Sequence, residues 1–213
     1  MPITKILKKN ILKNFNKDEL ENYIETGIHE GYSIYQALEI GFKNIIGIEK
    51  NIDYVINTKK KFQDNKFLNV IHADSRNGLE EAFKNLNNNS FVFLDAHGHL
   101  EINDSPLEDE LIFLKKKKNS IKLVIIDDFY QIKKGNGHWQ KNTNLKNILN
   151  LSKSFFENGK TSVNEIFYYY GGFFNRKKNS YLVISRNNKF DNHNFFYRLF
   201  NEIYIYTIHK IKR

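Results

Sequence analysis

Short apolar runs alternate with helical patterns from residue 22 to residue 127, and this alternation limits the possible folds more than any other feature. The apolar runs predict strands at Tyr23–Glu25, Asn44–Glu49, Asn69–Ala73, Phe91–Asp95 and Leu123–Asp127. The segments between them have helical periodicity, at Ser33–Ile40, Ile52–Phe62, Gly78–Asn85 and Leu107–Lys116. Strands that alternate with helices in this way form βαβ units and a parallel sheet.

The pattern changes after the fifth strand. A helix is predicted at Leu145–Glu157, and two strands follow at Ile166–Tyr170 and Tyr181–Ser185. We expect these two strands to be adjacent and antiparallel, with the second one inserted into the sheet. The predicted fold class is therefore α/β, a doubly wound and mostly parallel Rossmann-like sheet.

The length of 213 residues fits one domain with a full central core. We divide it into a helical lead-in at residues 1–21, a core at 22–185 and a C-terminal extension at 186–213. The lead-in is predicted as one amphipathic, basic helix over residues 3–20 that covers a sheet edge or a pocket. The aromatic tail Phe195–Ile211 is expected to add a helix and a strand.

Composition excludes several classes of protein. The chain contains no cysteine, so disulfides, thiolate metal sites and cysteine nucleophiles are excluded. It has no apolar run of roughly 18 residues, and we therefore expect a soluble, cytoplasmic protein without a membrane segment. The net charge of +9 leaves nucleic-acid binding open. We do not favour that reading, because lysine is spread along the chain and its one dense run, Lys115–Lys118, is typical of a solvated helix end.

A glycine turn after the first strand indicates a nucleoside pocket. Gly27 is expected to let the backbone turn sharply, and Gly31 to let the next helix pack close to the sheet beside a ligand. Glu25 and Ser33 flank this turn; Glu25 is expected to anchor an ammonium group, unless it only complements the helix dipole. Glu49 ends the second strand, where an acid accepts hydrogen bonds from ribose hydroxyls.

Polar residues also follow the third, fourth and fifth strands. Asp74 and Ser75 follow the third strand, where an acid reads the exocyclic amine of adenine or simply caps the next helix. Asp95 follows the fourth strand, and Asp127 and Asp128 follow the fifth. Because neighbouring parallel strands lie about 4.8 Å apart, these three carboxylates are expected to converge.

Three converging carboxylates favour a hard divalent cation, Mg²⁺ or Ca²⁺, with Mn²⁺ as a further alternative. The alternative is that Asp127 ends the strand and Asp128 faces solvent. His97 lies close to the end of the fourth strand and is the preferred general base for a hydroxyl substrate, before His99. The alternative for either histidine is a metal ligand or a residue that only orients the loop.

These residues together resemble the class I S-adenosylmethionine (SAM) dependent methyltransferases over residues 22–185. The resemblance implies a seven-stranded sheet in the order 3-2-1-4-5-7-6 and SAM as cofactor, although the usual central glycine of the first motif is replaced by Ile28–Glu30. The residues implied to bind SAM are Glu25, Thr26, Gly27, Gly31, Ser33, Glu49, Asp74, Ser75 and Asp95. The acids after the fourth and fifth strands are similar to those of metal-dependent O-methyltransferases of sugars and natural products. The implied catalytic residues are then His97, Asp95 and Asp127, with Mg²⁺ on Asp95, Asp127 and Asp128.

Three functions remain open from the sequence. The first is metal-assisted methylation of a hydroxyl on a small molecule or a glycan. The second is methylation of RNA or protein held by a basic surface, and the third is binding of SAM or a nucleotide without methyl transfer. The sequence fixes neither the acceptor nor the oligomeric state.

Overall fold

The computed structural model describes residues 3–86, 88–97, 105–135, 144–157, 159–170 and 177–190. In this part of the chain the strands are β1 Asn22–Thr26, β2 Asn44–Glu49, β3 Leu68–His72, β4 Ser90–Leu94, β5 Ile121–Ile126, β6 Thr161–Tyr170 and β7 Lys177–Arg186. The helices are α1 Lys5–Asn14, α2 Tyr32–Ile40, α3 Ile52–Lys61, α4 Ser75–Ala82, α5 Leu107–Lys116, α6 Phe129–Lys134 and α7 Leu145–Lys153.

All seven described strands belong to one sheet in the order β3-β2-β1-β4-β5-β7-β6. Strands β1 to β5 are parallel to one another, and β7 is antiparallel to both β5 and β6. This confirms the predicted fold class, the strand order and the inserted antiparallel strand. The carboxyl ends of the parallel strands consequently meet along one edge of the sheet, which we call the carboxyl edge.

The sheet separates two apolar core layers. One layer holds the buried side of α1, α2 and α3, with Leu7, Ile34 and Val55 among its buried residues. The other holds the buried side of α4, α5 and α7, with Leu79, Leu111 and Ile148. Strands β1 and β4 are buried at every position because both faces are covered, which explains the apolar run Phe91–Leu94 in β4.

The β6–β7 hairpin extends past the carboxyl end of its neighbour. The last residue of β5, Ile126, pairs with Leu182 in the middle of β7. The first residues of β7, starting at Lys177, pair only with the end of β6 and therefore stand beyond the carboxyl edge. Helix α6 packs against this overhanging part of β7.

Several predicted boundaries are wrong. Helix α4 begins at Ser75 rather than Gly78, because the Asp74 side chain accepts a hydrogen bond from the Arg76 backbone and caps the helix. The lead-in is a helix that ends at Asn14, followed by a 3₁₀ turn, and Leu12 faces solvent instead of the core.

Helices α6 and α7 also differ from the prediction. Helix α6 was not expected, because it has only six residues and follows directly on β5. Helix α7 ends at Lys153, four residues earlier than predicted. The predicted elements of the tail Phe195–Ile211 lie outside the described residues. None of the helices in the described ranges is long and apolar enough to cross a membrane.

Candidate cofactor and methyl-transfer site

The glycine turn after β1 is enforced by the neighbouring strand connection. Gly27 has a φ of 76°, and a Cβ there would lie 2.8 Å from the Asp95 carbonyl oxygen and 2.8 Å from the Ala96 Cα. A side chain at this position would therefore collide with backbone that cannot move away. The predicted need for glycine is explained by contact with the chain after β4.

Gly31 has a role different from the predicted one. It is the N-cap of α2 with a φ of 72°, and its missing side chain would meet the side chains of Thr58 in α3 and of Phe62 directly after α3. The close approach is thus between α2 and α3, and the expected packing of Gly31 on the sheet is wrong. The conformation itself still favours glycine.

Glu25 is a buried acid at the end of β1. Its carboxylate accepts hydrogen bonds from the hydroxyls of Ser33 in α2 and of Tyr23, the latter at 3.2 Å. Burial raises the pKa of Glu25 to about 7, and the two hydroxyls oppose this shift. A cationic group placed beside this carboxylate would therefore gain a strong partner and draw its proton away.

Glu49 joins the glycine turn to the start of α3. One carboxylate oxygen accepts from the His29 backbone N–H at 2.9 Å, and the other accepts from the Asn51 N–H at 2.8 Å. His29 has a φ of 49°, which the Glu49 hydrogen bond holds in place. A carboxylate has about four acceptor positions, so two remain for ligand hydroxyls. The predicted ribose contact stays a prediction.

Asp74 and Ser75 lie at the carboxyl edge after β3. Asp74 caps α4 and also faces the Arg76 guanidinium at 3.4 Å, while Arg76 bonds Asp109 at 2.8 Å. The capping alternative is therefore present in the structure. It leaves part of the Asp74 carboxylate for another donor, and the adenine contact remains a prediction. Ser75 is buried, as is Thr26 at the end of β1.

Asp95 and His97 follow β4 and lie over the centre of the carboxyl edge. Burial raises the pKa of Asp95 well above its usual range, and the charge of Asp127 adds to the shift. The His97 ring is buried, and its Nε2 lies 3.1 Å from the Asp127 carbonyl oxygen. Burial lowers the pKa of His97, so the ring is neutral near pH 7. His99 lies outside the described residues.

Asp127 and Asp128 follow β5 but point in different directions. The Asp127 side chain is fully buried and accepts from the Tyr168 hydroxyl and from the Asp128 backbone N–H, both at 2.6 Å. Burial raises the pKa of Asp127 to about 6, and the Tyr168 hydroxyl opposes the shift. Asp128 has a φ of 52°, and its carboxylate accepts from the Asn179 side chain.

The carboxylates do not form the predicted magnesium site. Among the described residues, no group of three or more histidine, aspartate or glutamate side chains is placed to hold a metal ion. The physical reason is that Asp127 is turned inward onto Tyr168, while Asp128 is turned toward Asn179. Asp127 and Asp128 are thus engaged as hydrogen-bonded acids, and the three described carboxylates do not fit a shared set of metal ligands.

Three site residues were missed by the sequence analysis: Tyr168, Asn179 and Glu110. Tyr168 and Asn179 belong to β6 and β7, where an alternating strand pattern gives no functional signal. They reach Asp127 and Asp128 only because β7 inserts beside β5. Glu110 is one of three acids in the first turn of α5, which look alike in the sequence, yet it alone is fully buried.

Comparison with known proteins places this fold among SAM-dependent methyltransferases. No family model and no curated protein matches the sequence. A Bacillus cereus O-methyltransferase solved with S-adenosylhomocysteine (SAH) has 13% identity and a TM-score of 0.56, covering 80% of this chain and 76% of its own. The O-methyltransferase TomG from Streptomyces achromogenes, solved with SAM, has 10% identity and a TM-score of 0.56, covering 80% and 75%. TrmK from M. capricolum, solved with SAH, has 16% identity and a TM-score of 0.54, covering 98% and 83%. At these identities the likeness establishes the fold.

Proposed function

We propose that this chain is a SAM-dependent methyltransferase that transfers a methyl group to a hydroxyl oxygen of a small molecule or a glycan. The observation that carries the proposal is the meeting of Glu25, Glu49 and His97 at the carboxyl ends of three adjacent parallel strands. Ligands of open α/β sheets bind at this edge. The proposal is supported by structural neighbours of similar fold that were solved with SAM or SAH.

The residues present fit this cofactor. Glu25 would hold its ammonium group, and Glu49 would accept from its ribose hydroxyls with the two acceptor positions that the backbone leaves open. Asp74 and Ser75 would lie on the adenine side. When bound, SAM supplies an electrophilic methyl group on a sulfonium centre.

His97 would act as the general base. A carbonyl oxygen can only accept a hydrogen bond, so Nε2 donates to the Asp127 carbonyl and carries the proton of the neutral ring. The lone pair is then on Nδ1, which would take the proton from the acceptor hydroxyl. This assignment needs a neutral ring, and burial provides it by lowering the pKa of His97.

Calorimetric titration with SAM and SAH tests the proposal. We expect the wild-type chain to bind both. Glu49→Gln should weaken SAH binding by about tenfold or more, because the amide replaces one acceptor oxygen with a donor that faces a backbone N–H. Asp64→Asn is the matched control, since Asp64 is an exposed acid in the turn after α3. A wild-type chain that binds neither compound would overturn the proposal.

A second candidate is methylation of RNA, favoured by one surface beside the site. We call it the lysine–aromatic surface; its residues are Tyr130, Lys133, Lys134, Phe167, Lys177 and Lys178. The Lys178 ammonium lies 4.7 Å from the Phe167 ring centre, and the Lys134 ammonium lies 4.8 Å from that of Tyr130. The surface belongs to α6 and the overhanging β6–β7 hairpin. Cations interleaved with aromatic rings suit the phosphates and bases of a single strand.

The acidic partner of this surface is Glu165, which pairs with Lys133 at 2.5 Å. The predicted run Lys115–Lys118 lies elsewhere: α5 ends there and the chain continues into the amino end of β5, at the opposite edge of the sheet. Two quadruple lysine-to-glutamine variants can therefore be compared, one in each cluster, with equal loss of charge.

Salt-dependent binding of oligouridylate separates the two acceptor classes. If RNA is the acceptor, neutralising Lys133, Lys134, Lys177 and Lys178 should flatten the plot of log affinity against log salt by about 0.7 per lost phosphate contact. Neutralising Lys115–Lys118 should leave the slope unchanged. Equal effects of both variants, or no binding by the wild type, would reject the RNA candidate.

A further inference from the structure

Four buried oxygen atoms meet beneath the carboxyl edge, between β1, α4 and α5. They are the two carboxyl oxygens of Glu110 and the hydroxyls of Thr26 and Ser75. Glu110 and Thr26 are fully buried and Ser75 is 6% exposed. Within the described residues, none of the four atoms has a hydrogen bond of regular geometry.

The two hydroxyls nevertheless face the Glu110 carboxyl. Burial raises the pKa of Glu110 to about 7, and the Ser75 and Thr26 hydroxyls oppose the shift. The charged groups around it are Arg76, which lowers the pKa, and Asp74, which raises it; both come from the start of α4. Glu110 thus interacts with both segments that flank the nucleoside pocket.

A purely structural role does not explain why this acid is buried. Glu108 and Asp109 already place negative charge at the start of α5, and both reach partners at the surface. A third acid adds little to the helix dipole and carries the cost of burying a carboxyl group. An apolar residue would pack in the same layer as its neighbour Leu111 without that cost.

We propose that Glu110 is a positioning residue for the cofactor site, which holds the end of β1 and the start of α4 together through the hydroxyls of Thr26 and Ser75. The inference rests on the proposed function, because the two segments matter together only if a nucleoside binds between them. Thr26 precedes the Gly27 turn, and Ser75 follows Asp74 on the adenine side. Glu110 itself is not expected to touch the ligand.

Calorimetric binding of SAH and of adenosine tests the inference. Glu110→Ala should weaken binding of both compounds by roughly tenfold, because it removes the buried carboxyl group that the hydroxyls of Thr26 and Ser75 face. Glu110→Gln keeps two polar atoms at the same place and should restore binding to within about threefold of wild type. Equal losses for SAH and adenosine would locate the effect on the nucleoside side.

Leu111→Ala is the matched control, since Leu111 is a fully buried neighbour in the same helix that packs in the apolar layer. It should lower the melting temperature and leave SAH affinity unchanged. If Glu110→Ala does not fold, Thr26→Val carries the test, because it removes one hydroxyl at nearly constant shape and should weaken adenosine binding in the same way.

The outcomes separate the inference from the proposed function. A wild-type chain without SAH binding overturns both. A wild-type chain that binds SAH, with Glu110→Ala and Leu111→Ala alike in affinity, overturns the positioning role alone. Loss of SAH binding with full retention of adenosine binding also contradicts it, because the effect would then lie on the methionine side.

Discussion

Cofactor binding should release a proton from Glu25, and affinity should therefore depend on pH. In the free protein, burial raises the pKa of this carboxyl to about 7. An ammonium group bound beside it would stabilise the ionised form and lower that pKa. Below pH 7 the ligand must displace a proton, so affinity is expected to fall as the pH falls and to reach its plateau above pH 7.

The size of the loss in affinity at low pH follows from the raised pKa of Glu25. At pH 5 the free carboxyl lies about two pH units below its pKa, which corresponds to a loss of roughly 100-fold in affinity, or about 2.7 kcal/mol. This assumes a pKa in the complex below 5. The amino group of the ligand stays protonated through this range, since free α-amino groups titrate near pH ~8.

Calorimetry with SAH from pH 5 to pH 7.5, in buffers that differ in ionisation enthalpy, measures both affinity and proton release. About one proton per SAH should be released near pH 6, and much less than one at pH 7.5. Glu25→Gln should give a flat profile and weak binding throughout. Asp127→Asn is the control for the other buried acid, whose pKa is raised to about 6. An SAH affinity that stays the same to within threefold from pH 5 to pH 7.5 would refute the reasoning.

The remaining predictions concern the turn, the base and the buried tyrosine. Gly27→Ala should lower the unfolding free energy by several times the cost of Gly41→Ala, because both glycines have positive φ but a Cβ at Gly41 would meet no atom of the described residues within 4 Å. Equal costs in urea titrations would contradict the close approach at Gly27. His97→Asn should reduce turnover by about 10²-fold or more and leave SAH affinity within threefold, which single-turnover and binding measurements can separate. Tyr168→Phe removes the hydroxyl that donates to the Asp127 carboxylate, so the pKa of Asp127 should rise further. The free energy of unfolding should fall by about 1–3 kcal/mol, and the loss should be larger above pH 6, where Asp127 is ionised. An unchanged pH dependence of the unfolding free energy would be evidence against that hydrogen bond.

The fold was predictable because its main signals are local. Strand β4 is a continuous apolar run bounded by polar residues, and α5 has a clear helical period with acids at its start and lysines at its end. The edge of the sheet that carries Glu25 and Glu49 also follows from strand direction alone. The order of the strands came from family resemblance.

Side-chain orientation at the site was not predictable in the same way. The orientation of the Asp127 carboxylate is set by Tyr168, 41 residues later, whose hydroxyl donates to it. That contact depends on which residues of β7 pair with β5 and β6, and a local sequence pattern does not predict this pairing. Glu110 is hidden for a related reason, since only the packing of α4 and α5 separates a buried acid from its two exposed neighbours.

The insertion of β7 between β5 and β6 sets an order of events during synthesis. Fifty residues lie between the end of β5 and the first residue of its neighbour β7, so β5 is made well before the strand that pairs with it. Until Arg186 has left the ribosome, one side of β5 presents unpaired backbone groups, which other strands can recruit. Asn179, the partner of Asp128, arrives with the same strand. A nascent chain released before this point would expose an aggregation-prone edge and lack the strand that carries Asn179.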